Sequence, residues 1–269
     1  MQQMMIATHS LKGGNGLFVM ATLAAASITL VVATGAGADD IRSSAIPLIT
    51  LNSGLKLPRL SLGIWQFTDE EVATAVPIAL SLGINFIDAS VFYGADVNAG
   101  GRPNQPALGR ALRGLPRESY YILTKIDPSY SASPEYGAVT SPFKRENAYM
   151  RTLEQATRNL GDLGLQDVDV MLIHWSMADC GVMRETWRAM ETVQRLGMAK
   201  AIGVSNYCPN ALQCILPNAT IVPAINQVKY HVGMASNIAP LTAYCAARGI
   251  TVQAYSPLGD GGMYHSDEL

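Results

Sequence analysis

The chain has 269 residues, enough for one large α/β domain with a sizeable core. Charged residues make up 15% and the formal net charge is −2. With no basic run and no aromatic stripe interleaved with arginine, nothing suggests a nucleic-acid partner, and the 14 prolines are scattered, so no disordered tail is implied.

Residues 1–38 read as a targeting segment. Lys12 is the one charge in them, followed by an apolar run from Leu17 to about Ala33, the small-residue pattern Ala36-Gly37-Ala38 and the acidic pair Asp39-Asp40. That order matches a secretory signal peptide cut after Ala38. The run is long for a signal core, so an uncleaved membrane anchor stands as the alternative. At the other end, His265-Ser-Asp-Glu-Leu269 is close to the retrieval address of the endoplasmic reticulum. The expected organisation is therefore a leader (1–38), a domain (39–264) and a retrieval tail (265–269), with a luminal location and no membrane partner once the leader is cut. Asn218-Ala219-Thr220 is a glycosylation sequon in a stretch that reads as loop. Cys180, Cys208, Cys214 and Cys245 are expected as free thiols; among the possible pairings, Cys208 with Cys214 is nearest in sequence.

In chain order, Pro47 to Pro58 reads as a hairpin turning at Asn52-Ser53-Gly54, placed to plug the closed end of a barrel. Leu60 to Trp65 is the first barrel strand. Thr68 and Glu71 form a capping-box pattern that opens a helix running to Leu82, with Pro77 expected to kink it. Phe86-Ile87-Asp88 is the second strand, and a polar loop from Gly94 to Asn104 leads to a helix through Leu108 and Leu112. Tyr120 to Lys125 is the third strand. A helix capped by Ser141-Pro142 is expected to end at Gly161. Val168 to His174 is the fourth strand, followed by a helix from Met183 to Leu196. Ala199 to Asn206, Ile225 to Tyr230 and Ile250 to Tyr255 are the fifth to seventh strands, with a helix from about Asn237 to Arg248 before the last. Short apolar strands separated by helices imply a parallel sheet buried on both faces. The fold class is α/β, a TIM-type (β/α)8 barrel with an N-terminal hairpin, and the eighth strand and final helices are not visible in the sequence.

In such barrels the catalytic groups sit at the carboxyl ends of strands. Asp88 ends strand two, Lys125 strand three and His174 strand four. Ser205-Asn206 close strand five, Gln227 lies in strand six and Tyr255 ends strand seven. A single polar strand end is ordinary; this many on one rim point to a site.

On these residues the chain resembles the aldo-keto reductases. The matching stretches are Leu60 to Trp65, Phe86 to Tyr93, Leu123-Thr124-Lys125, Asp167 to Trp175, Ala201 to Tyr207, Ile225 to His231 and Ala254 to Gly259. The resemblance implies a catalytic tetrad of Asp88, Tyr93, Lys125 and His174 and the cofactor NADPH, with NADH not excluded; the sequence holds no Gly-x-Gly-x-x-Gly. Carbonyl reduction needs a hydride at carbon and a proton at oxygen. Tyr93 would give the proton, and because free tyrosine has a pKa of about 10, Lys125 is expected to lower it. Asp88 would keep Lys125 charged, and His174 would hold the substrate oxygen. The resemblance further places Ser205, Asn206 and Gln227 on the nicotinamide carboxamide and Tyr255 on its ring. It brings Ser256, Leu258 and Gly259 to the pyrophosphate. Trp65, Phe92 and Trp175 are candidates for an apolar substrate wall, with core packing as the other reading.

Two departures stand out. Gly94 to Pro103 replaces the family's usual Asn-Glu after the tyrosine, which reshapes a rim loop, and Ser176 follows Trp175 where proline is common. The family segment that grips the 2′-phosphate and adenine is not visible either. Two functions therefore stay open: a luminal reductase of a small-molecule carbonyl, and a barrel that binds dinucleotide or a protein partner without turnover. A homo-oligomer is compatible with both.

Overall fold

The structure, a computed structural model, describes residues 17–22, 29–34, 46–95, 102–128, 142–231, 233–234 and 238–259. β1 (Leu17–Thr22) and β2 (Thr29–Thr34) pair antiparallel within the segment read as a leader. The cleavage site after Ala38 and the tail from His265 lie outside the described residues. Among the described residues no helix is long and apolar enough to cross a membrane.

The expected hairpin forms from β3 (Leu48–Thr50) and β4 (Lys56–Pro58), with Gly54 at φ +83° taking the left-handed turn position. Its buried residues Leu51 and Leu57 pack against Phe86, Leu123, Val170 and Leu172. The hairpin therefore closes one end of the sheet, as its sequence position suggests.

Seven parallel strands follow: β5 (Leu62–Gly63), β6 (Phe86–Asp88), β7 (Tyr121–Ile126), β8 (Val168–Ile173), β9 (Ala199–Ser205), β10 (Ile225–Lys229) and β11 (Thr251–Tyr255). They pair in chain order from β5 to β11. One hydrogen bond shows how strongly this sheet curls. Gln227 in β10 donates to Asp88 in β6 at 2.8 Å, although three strands lie between them. In a flat sheet the two would stand about 19 Å apart. The architecture is thus the expected barrel type, a seven-stranded parallel sheet rolled around an interior.

Alternation along the strands decides what that interior holds. Phe86, Leu123, Val170, Leu172, Ala201 and Ile225 turn inward and pack on the hairpin. Two residues further along the same face come Asp88, Lys125, His174, Gly203 and Gln227. The opposite face, with Ile87, Ile122, Met171 and Ile202, packs under the helices. Apolar residues thus fill one end of the interior and polar ones the other.

The helices are α1 (Asp69–Ser81), α2 (Gln105–Leu112), α3 (Ala148–Leu163), α4 (Cys180–Arg195), α5 (Pro209–Ile215) and α6 (Ala239–Ala246). Both arms of the Thr68–Glu71 capping box are made, at 3.1 and 2.8 Å, and α1 continues through Pro77. Three expectations need correction. α3 starts at Ala148, not at Pro142, because Phe143 is buried and its N–H is tied to Pro128 O at 2.8 Å, which keeps that stretch out of the helix. α3 also runs past Gly161, since Gly164 at φ +66° takes the left-handed cap. α5 was not foreseen; its seven residues are too few for a visible period, and Pro209 at its first position was the available signal.

The cysteines also differ from expectation. Cys180 and Cys214 form a disulfide, leaving Cys208 exposed and Cys245 buried. The pair meets because the first turn of α4 packs beside the end of α5, a contact that sequence distance does not reveal. Cys208, by contrast, is the N-cap of the helix that carries Cys214.

Gly203 leaves no room for a side chain in the interior. A Cβ there would lie 2.5 Å from Ile225 O and 2.8 Å from Leu172 Cδ2. Gly203→Ala is expected to cost about 1–3 kcal/mol by overpacking, read as a lower denaturant midpoint at unchanged slope.

Candidate active site

Asp88, Lys125 and Tyr93 meet at the polar end of the interior. Lys125 is fully buried and is charged only if its three donors find acceptors. It donates to Asp88 Oδ1, to Ala89 O at 3.1 Å and to Tyr93 Oη at 2.8 Å. The second oxygen of Asp88 accepts from Gln227. Since the ammonium only donates, the phenol oxygen accepts from it and its own O–H is directed elsewhere. The loop that holds Tyr93 is braced by buried Asn104, whose N–H donates to Tyr93 O at 2.7 Å and whose side chain donates to Ile64 O and Phe67 O.

The electrostatics differ from the expectation that Lys125 lowers the phenol. Burial is the largest cause and holds Tyr93 well above the usual tyrosine range, with the Asp88 and Tyr255 charges adding to the rise. Burial likewise lowers Lys125, and the Asp88 ion pair offsets part of that. Burial thus favours the uncharged form of each group, the protonated phenol in the case of Tyr93.

His174 follows β8 directly, and its backbone N–H donates to Ile126 O at 2.7 Å. Its ring lies edge-on to Tyr93 with centroids 6.0 Å apart, and Trp175 stacks near it at 5.5 Å. Nδ1 is 3.2 Å from Asp127 Oδ2 and 3.5 Å from Ser90 Oγ. Burial lowers His174, opposed by Asp127 and aided by the Lys125 charge. The four residues of the predicted tetrad thus converge. Asp127, Ser90 and Asn104 were not singled out from the sequence; Asp127 and Ser90 each stand two places after a tetrad residue, Lys125 and Asp88, a spacing that keeps a strand face.

Ser205, Asn206, Gln227 and Tyr255 form a connected rim beside this cluster. Ser205 Oγ donates to Gln227 O at 2.9 Å, Asn206 Nδ2 donates to His174 O at 3.0 Å, and Tyr255 Oη donates to Asn206 Oδ1 at 2.9 Å. Ser205 and Gln227 are buried, and Gln227 also donates to Gln253 at 3.1 Å. Asn206 and Ser256 hold left-handed backbone, φ +60° and +49°, at the exits of β9 and β11. A rim of uncharged amide and hydroxyl groups beside a tyrosine ring suits a planar carboxamide such as nicotinamide. Leu258 and Gly259 are partly buried beyond β11.

Trp65 and Trp175 are 45% and 42% exposed, which excludes core packing for both; Phe92 is half-buried beside Tyr93. Among the described residues no group of three or more His, Cys, Asp or Glu is placed to hold a metal.

The profile described as Aldo/keto reductase family matches residues 59–268. Morphine 6-dehydrogenase of Pseudomonas putida is 33% identical over 215 residues, covering 79% of this chain and 64% of that protein. The chain thus spans less than two thirds of that relative's length. Among solved structures, an aldo/keto reductase from Brucella melitensis superposes with TM-score 0.66 at 29% identity, over 80% of this chain and 74% of that one. An aldo-keto reductase of Bombyx mori in complex with NADP gives TM-score 0.65 at 26% identity, over 84% and 71% of the two chains.

Proposed function

We propose a reaction from one premise: the chain belongs to the aldo/keto reductase family. The reaction is reduction of an aldehyde or ketone to an alcohol with NADPH, and Tyr93 is the proton donor. The observation that carries this reading is the buried contact of Lys125 Nζ with Tyr93 Oη at 2.8 Å, backed by Asp88. It fixes the phenol oxygen from behind and leaves its proton for a substrate oxygen. Bound cofactor supplies the hydride. Asn206 and Tyr255 hold the nicotinamide end, with Ser205 and Gln227 bracing them from below, and Ser256, Leu258 and Gly259 border the pyrophosphate. The complex of the Bombyx mori relative with NADP supports the choice of cofactor. Trp65, Phe92 and Trp175 form the apolar wall for a small carbonyl substrate, and His174 contacts the substrate oxygen.

Titrating the purified chain with NADPH and with NADH, followed by quenching of tryptophan fluorescence, tests the cofactor part. A panel of aldehydes and ketones then tests turnover. Quenching followed by turnover supports the reductase. Quenching without turnover assigns the chain instead to a dinucleotide-binding module, and no quenching removes the cofactor site.

A luminal location is part of the same proposal, supported by the Cys180–Cys214 disulfide and by the exposure of Asn218 and Thr220 in the sequon. Expressed in a secretory host, the protein is expected to carry a glycan on Asn218. Treatment with peptide N-glycosidase should then raise its gel mobility, and Asn218→Gln should abolish that change. Unmodified, fully reduced protein from such a host counts against the location.

A further inference from the structure

Asp127 has no part in the reading above, yet it is among the most firmly held groups near the site. It is buried where the chain leaves β7. Gln155 of α3 clamps its main chain from both sides, accepting from Asp127 N at 2.9 Å and donating to Asp127 O at 3.1 Å. Its carboxylate is thereby brought to 3.2 Å from His174 Nδ1. The histidine is equally fixed, through its N–H on Ile126 O, its carbonyl on Asn206 and the stacked Trp175.

The carboxylate charge 3.2 Å from Nδ1 favours a proton on that nitrogen, and Ser90 Oγ at 3.5 Å can accept it. A neutral imidazole has one N–H, which leaves the other nitrogen as a bare lone pair. We propose that Asp127 is a positioning residue that sets the polarity of the His174 contact with substrate. It holds the Nδ1 proton, so the neutral ring offers Nε2 as an acceptor, and Nε2–H is offered only by the imidazolium.

The consequence rests on the reductase reading. A carbonyl oxygen accepts hydrogen bonds only and is held by the imidazolium. An alcohol can donate its O–H to a bare Nε2. Carbonyl binding should therefore weaken, and alcohol binding strengthen, as pH rises through the titration of His174. The charged and titratable groups facing the ring are Asp127 and Lys125 from β7 and its exit, Asp88 from β6 and Tyr93 from the loop after β6. Of these, Asp127 approaches Nδ1 directly.

Spectra of the full chain labelled with 15N-histidine test this without turnover, with His174 assigned by the signal lost in His174→Gln. The expected result at neutral pH is a protonated Nδ1 and a bare Nε2. In Asp127→Asn, where an amide oxygen can still accept but the negative charge is gone, the titration midpoint should fall by about one pH unit. In Asp127→Leu the proton should move to Nε2. In kinetics, the rise of KM for an aldehyde with pH should shift to lower pH in Asp127→Asn, with kcat moved less. A wild-type ring protonated on Nε2, or a midpoint that Asp127→Asn does not move, overturns the proposal. The two readings can fail separately. Protein with the expected ring but no turnover refutes the reductase reading, and a reductase with Nε2 protonated refutes the role of Asp127.

Discussion

Tyr93→Phe is expected to lower kcat for carbonyl reduction by about 10²–10⁴-fold, the usual worth of a positioned proton donor, while leaving cofactor binding in place. The substitution removes one oxygen and keeps the ring, which stays edge-on to His174 and beneath Lys125, whose Nζ is 4.4 Å from the ring centroid. Lys125 loses an acceptor but keeps Asp88 and Ala89 O. The loss of one buried hydrogen bond costs about 1–3 kcal/mol, so the variant should fold. Steady-state rates on an aldehyde, together with NADPH quenching of tryptophan fluorescence, read the two effects separately. Retention of wild-type turnover would place the proton on another group. Loss of NADPH binding would mean that the phenol is part of the cofactor site instead.

Asp88→Asn is expected to cost about 3–5 kcal/mol of stability, because it leaves a buried ammonium without its countercharge. Lys125 has no solvent to turn to, and its remaining acceptors, Ala89 O and Tyr93 Oη, are neutral. The pH dependence identifies the cause. Burial already lowers Lys125 in the folded protein, and losing Asp88 lowers it further. Between that lowered value and the ordinary lysine range, about pH 10, the unfolded chain binds more protons than the folded one, so stability rises with pH. Above that range lysine is neutral in both states and the deficit disappears. Denaturant melts of both proteins from neutral to alkaline pH should therefore show a gap that closes as pH rises. A gap that stays constant or widens would mean that the cost comes from the lost bond to Gln227, not from the stranded charge.

Much of this site was legible because a barrel strand writes its destination into alternate residues. Phe86 then Asp88, Leu123 then Lys125, and Ala201 then Ser205 via Gly203 each run from an apolar plug to a polar mouth along one face. The hairpin and the capping box were legible for a similar reason, since each is decided by residues within a few places of one another. What escaped depends on the way separate segments pack. Cys180 meets Cys214 through the docking of α4 on α5. α3 starts late because Phe143 finds a buried place that a helix from Pro142 would deny it. Asp127 looks like an ordinary polar strand end until His174 is placed beside it. That Tyr93 is raised and not lowered escaped as well, because sequence shows the lysine but not the depth of burial, which is the largest cause of the shift.

The proposed reaction passes a hydride to a carbonyl carbon and a proton to its oxygen in this pocket. The most direct measurement is incubation of the purified chain with an aldehyde and NADPH doubly deuterated at C4 of the nicotinamide, with mass analysis of the product. The expected product from the wild-type protein is an alcohol carrying one deuterium on the carbinol carbon, with almost none formed by Tyr93→Phe under the same conditions. Unlabelled alcohol, or no alcohol from a wild-type chain that binds the cofactor, would contradict it.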